Sequence, residues 1–153
     1  MPCYKTHLFG GLGAYIIVMC ALGRLCLSTE CGIEWLAFAL LGALFPDIDI
    51  KSKSQKLFYL LLLTAAWTIH IEQRYDLLPA IGVATFLPLL VKHRGIFHRL
   101  WFILLASYAI WRTGSTICPD LSRTLQFDMF FFVAGAISHL YLDFGIHRMF
   151  RVR

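Results

Sequence analysis

Read for the spacing of its apolar and polar positions, the chain is a series of unbroken apolar runs separated by short polar breaks. The runs from Tyr15 to Leu22, Trp35 to Phe45 and Leu57 to Trp67 do not alternate at every second residue, so they predict helices and not the strands of a barrel. Extending each run to its flanking charges predicts six helical spans, near residues 7–25, 33–48, 56–72, 76–91, 98–112 and 127–146. The second and fifth are short for a full crossing; local thinning of the bilayer or snorkelling ends would accommodate them, and five or four spans with re-entrant segments is the alternative. The polar stretch from Thr113 to Gln126, with Gly114 and Pro119, predicts an exposed loop. The expected fold class is therefore all-α, a polytopic transmembrane helical bundle of about six spans, in one membrane-embedded domain over residues 1–153.

Composition adds a reason for the membrane. A chain of 153 residues that is 59% hydrophobic carries more apolar surface than a soluble core of that size buries. A crossing takes roughly 20 helical residues, so there is room for at most about six. Five cysteines show no CxxC or Cys/His ligand spacing, which excludes a zinc ribbon or a thioredoxin-like motif.

Charge orients the spans. Of the fourteen Lys and Arg, ten (Lys5, Lys51, Lys53, Lys56, Lys92, Arg94, Arg99, Arg148, Arg151 and Arg153) fall on one side of the predicted topology and four (Arg24, Arg74, Arg112 and Arg123) on the other. The positive-inside rule then puts both termini in the cytoplasm. It also accounts for the net charge of +5, so no direct nucleic-acid binding is expected.

On that topology His7, Asp47, Asp49, His93, His98, His139, Asp143 and His147 gather at the cytoplasmic ends of their spans. Ionisable groups at the edge of a bilayer are costly unless they face a protein interior or a wet cavity, so such a gathering marks a candidate site. His139 and Asp143, four apart, share a helix face and can serve one metal or two adjacent ones. Asp47 and Asp49 follow Pro46, which ends or redirects regular helix, and two fixed carboxylates suit a divalent cation. His93 and His98 flank Gly95, where a turn would bring both rings to one point, and Arg94 between them is a candidate phosphate contact. His7 precedes Gly10, Gly11 and Gly13, small residues that permit close helix packing. Each feature has a plainer reading when taken alone: an interhelical His–Asp hydrogen bond, a solvated ion pair with Lys51 and Lys53, a basic loop, an interfacial histidine. His147, beside Arg148 near the chain end, reads better as a solvated residue. The donors are nitrogen and oxygen without cysteine, which favours Zn, Mn or Fe over Cu(I) or an iron–sulfur cluster. Their surplus over one tetrahedral site points to two ions, or to one ion with a separate base, for which Asp49 and His7 are the candidates.

These segments, in this order, resemble the YdjM-like family of inner-membrane, LexA-binding proteins described as metal-dependent hydrolases. The resemblance rests on His7, Phe45-Pro46-Asp47-Ile48-Asp49, His93-Arg94-Gly95-x-x-His98 and Ser138-His139-x-x-x-Asp143, and it spans nearly the whole chain. It implies a multi-pass protein of a bacterial cytoplasmic membrane. Two departures stand out: Phe97 and Arg99 occupy positions where the family pattern has threonine and serine, and Phe144, Gly145 and Ile146 follow Asp143 where the pattern usually continues to a threonine. The departures keep the ligand candidates and lose hydroxyls that would support them or touch substrate.

The function expected from these readings is hydrolysis of an ester or phosphoester, with lipid as both environment and substrate and metal-activated water as the nucleophile. Metal ligands would be Asp47, Asp49, His93, His98, His139, Asp143 and His7, with Asp49, His7 and Arg94 in catalytic roles. A non-catalytic metal-binding module that docks a cytoplasmic protein is the alternative. A metal or proton transporter is less favoured, because the centres of the runs are nearly all apolar.

Overall fold

The computed structural model describes residues 4–22, 29–48, 53–71, 73, 75, 82, 85 and 96–149. Five helices are described: α1 (Tyr4–Leu22), α2 (Thr29–Leu44), α3 (Lys53–Ile71), α4 (Leu100–Ile117) and α5 (Ser122–Met149). Short 3₁₀ turns, Phe45–Asp47 and Pro119–Leu121, follow α2 and α4. There is no strand among the described residues. Among the described residues, two helical segments, Tyr4–Leu22 and Pro119–Gly145, are long and apolar enough to cross a membrane. The predicted span at 76–91 lies outside the described residues, apart from Gly82 and Thr85.

The centre of the bundle is α5, which packs against α1, α2 and α4. Glycine makes the closest of these approaches. A Cβ on Gly42 would stand 1.9 Å from the Phe132 carbonyl oxygen, and one on Gly135 would stand 1.9 Å from that of Ala39. Backbone therefore meets backbone where α2 crosses α5, the small-residue packing that helices use when lipid removes the hydrophobic drive between them. Helix α1 enters the same seam at Gly11, whose Cβ would lie 2.8 Å from the Ala43 Cβ. Outward faces are apolar: Phe9 and Ile17 on α1, Leu63 and Trp67 on α3, and Leu105 and Tyr108 on α4 are all more than half exposed. A surface of that kind suits lipid contact.

Between α4 and α5 the chain turns more tightly than its polar composition predicts. Helix α4 runs on to Ile117, and only Cys118 and the 3₁₀ turn separate it from α5. Pro119 explains the break, since a proline keeps the residue before it, here Cys118 (φ −128°, ψ 81°), out of the helical region. The small polar residues line the hairpin instead of a loop: Ser122 Oγ donates to Ser115 Oγ at 3.0 Å, and Trp111 Nε1 donates to the Ser122 carbonyl at 3.2 Å. Near its other end α5 is interrupted at Gly145, whose φ of +67° suits glycine and penalises any side chain.

Candidate metal centre

Four chain segments meet at one end of the bundle: the start of α1, the turn after α2, the turn before α4 and the last turns of α5. Pro46, without an N–H, sits second in the 3₁₀ turn that carries Asp47 and ends regular helix there. Gln55 Nε2 donates to the Ile48 carbonyl at 2.9 Å and ties this turn to α3. His98 occupies a turn closed by Arg99 N–H donating to Ile96 O at 3.1 Å, before the extended Arg99 opens α4. The two turns are joined through aromatic neighbours. Phe45 and Phe97 pack edge to face with centroids 5.2 Å apart, in a buried cluster that includes Phe58, Ile103 and Leu140. Such a pair is worth about 1 kcal/mol beyond its buried area, and here it sets Asp47 against His98.

Asp47, His98, His139 and Asp143 each aim a ligand atom at a common point, all of these atoms lying within 4.8 Å of one another. Asp47 Oδ1 is 3.5 Å from His98 Nε2 and 3.6 Å from His139 Nε2. Asp143 Oδ2 is 3.5 Å from His139 Nε2 and 3.9 Å from His98 Nε2. These separations exceed the ~2.9 Å of an N–H···O bond. They approach the spacing of roughly 3.3–3.4 Å between ligands bound 2.0–2.1 Å from a tetrahedral ion.

His139 is the best-constrained member. It is fully buried, and its Nδ1–H donates to the Ala43 carbonyl at 2.7 Å. That bond fixes the tautomer with a lone pair on Nε2, which has no hydrogen-bond partner among the described residues. An orphaned, buried imidazole nitrogen facing two carboxylates is what a cation would satisfy. The Ala43 carbonyl also supplies the outer support that metal-bound histidines usually have. Gly42 and Gly135 make this contact accessible, because each precedes one of its partners on the closely packed seam.

His7 is buried and lies at the margin of the cluster. Its ring stacks on that of His139 at 3.8 Å, and its Nε2 is 3.5 Å from Asp143 Oδ1. Gly10 and Gly11, one turn on, let α1 approach α5 and α2 closely enough for this. His98 is further bounded by Phe144, edge-on at 6.0 Å. Asp49, His93 and Arg94 lie outside the described residues, as does the side chain of His147. Ser138, beside His139 in sequence, turns its hydroxyl onto its own helix, donating to the Gly135 carbonyl at 2.7 Å. The Ala43 carbonyl had no signal in the sequence, because any residue provides one; Phe144 stands out there only as a departure from the family pattern, with nothing to place it against His98.

A family model described as YdjM inner membrane protein matches residues 1–148. The chain belongs to this family. Comparison with curated proteins and with solved structures finds no significant match. In this YdjM-family chain, Phe97 is a core aromatic, 1% exposed. Arg99 is exposed.

Proposed function

We propose that this YdjM-family protein is a membrane-embedded, metal-dependent hydrolase acting on an ester or phosphoester of a lipid. The observation that carries the reading is His139: buried, held in one tautomer by Ala43, and presenting a partnerless Nε2 to Asp47 and Asp143 beside His98. The donor set fits Zn, Mn or Fe(II). A divalent ion held there would polarise a carbonyl or phosphoryl oxygen and lower the pKa of water. Asp47 and Asp143 would balance its charge; His98 and His139 would complete its coordination. The aromatic packing of Phe45 and Phe97 would keep the two turns in register. Arg94 remains the candidate contact for a phosphate on its chemistry. Six spans, with both termini cytoplasmic, are the topology that the apolar runs and charge bias support.

The burial of Phe97 favours a second reading, a metal-binding module without turnover that docks a cytoplasmic protein, since a hydroxyl expected near substrate is replaced by packing. Incubating the purified, Zn- or Mn-loaded chain with phospholipid vesicles, and following fatty-acid and phosphate release by mass spectrometry, separates the two. Release that disappears in Asp47→Ala and His139→Ala is the expected result. Tight metal binding with no release from any lipid would select the module.

A further inference from the structure

The geometry points to a second divalent-cation position beside the first, bridged by Asp143 and completed on the far side by His7; it rests on the reading of Asp47, His98, His139 and Asp143 as ligands of one ion. His7 is not among the four donors that converge within 4.8 Å, yet it is packed directly against them. Its ring is 3.8 Å from that of His139 and only 18° from parallel. Asp143 then serves both rings, one oxygen to each. Its Oδ2 is 3.5 Å from His139 Nε2, and its Oδ1 is 3.5 Å from His7 Nε2. The two nitrogen–oxygen pairs lie side by side, one on each oxygen of a single carboxylate, the arrangement in which one carboxylate can bridge the ions of a two-metal site.

The burial of the pair strengthens the assignment. The side chains of His7 and Asp143 are 2% and 6% exposed. Asp143 Oδ1 has no hydrogen-bond partner among the described residues. At 3.5 Å His7 is too far for a well-formed hydrogen bond to it, and at the distance expected of neighbouring ligands on one ion. A bare carboxylate oxygen sealed from water is costly, and a cation between it and His7 removes that cost. Both ions would be of the class that accepts imidazole and carboxylate, such as Mn(II) or Zn(II).

The test is Mn(II) loading of the purified full-length protein in detergent, with metal content from inductively coupled plasma mass spectrometry and the state of the ions from electron paramagnetic resonance. Wild type is expected to hold two Mn(II) per chain with an exchange-coupled spectrum. His7→Ala and His7→Phe should each hold one, with the resolved hyperfine pattern of an isolated ion. Phenylalanine keeps a ring against His139 while removing the donor, so the same loss in both variants separates a missing ligand from a disturbed fold. A single isolated ion in wild type overturns the second position and leaves the four-donor reading intact. No bound ion in wild type overturns both. Two coupled ions that persist in both variants overturn the assignment to His7.

Discussion

Helix α5 carries an acid with a largely covered side chain near each end, and the two live in different company. Asp143 lies 3.5–3.9 Å from three imidazoles, His7 on α1, His98 in the turn before α4 and His139 on α5 itself, with the Asp47 carboxylate of the turn after α2 in the same cluster. Asp128 is 2% exposed at the end where Trp35 stacks on Phe131 with centroids 5.0 Å apart. Its Oδ1 has no hydrogen-bond partner among the described residues, and its charged neighbour is Glu34, another acid. Burial of an ionisable group therefore does not by itself mark a metal site. Convergence of unlike donors from separate segments, at ligand spacing, marks a group that could hold an ion.

That contrast breaks most sharply under ligand removal. His139→Ala or Asp143→Ala should lower metal affinity by more than about a hundredfold, since even outer-sphere losses cost 10–100-fold. Asp128→Asn should leave it unchanged, as chelator competition would show. A next effect concerns the seam that positions His139. Gly135→Val drives a side chain into the Ala39 carbonyl and should destabilise the protein by about 3 kcal/mol, lowering both the thermal midpoint in detergent and the metal content. Phe97→Thr should cost about 3 kcal/mol by emptying the space between Phe45 and Phe102. The smallest effect is expected at the other end. Asp128→Leu removes a buried polar group and should gain about 1 kcal/mol in thermal unfolding, with metal content unaltered. A loss of metal in that variant would erase the distinction between the two ends.

Much of this was legible in the sequence, because its strongest signals are local. Continuous apolar runs marked the described helices, though α1 and α2 begin earlier than the flanking charges suggest, α2 gives way to a 3₁₀ turn at Phe45, and α4 runs further. The spacing of His139 and Asp143 placed both on one face of α5, and Pro46 marked the turn that carries Asp47. The hairpin between α4 and α5 was misread as a loop, since Ser115 and Ser122 look like loop residues until each is seen to bond the other across it. Long-range geometry was beyond the pattern. Nothing in the order of residues announces that Gly42 and Gly135 face each other's helices, that Phe45 meets Phe97, or that the Ala43 carbonyl receives the His139 proton. Asp128 has no Asp, His or Cys at helical spacing beside it, so it carries no site signal in the sequence.

The most direct test of the central claim is X-ray absorption at the metal edge of the purified, Zn-loaded chain, beside His139→Ala. The account predicts a shell of nitrogen and oxygen near 2.0–2.1 Å with imidazole outer-shell scattering and no sulfur near 2.3 Å, replaced by a solvated-ion spectrum in the variant. A sulfur shell, or a wild-type spectrum that His139→Ala leaves unchanged, would contradict it.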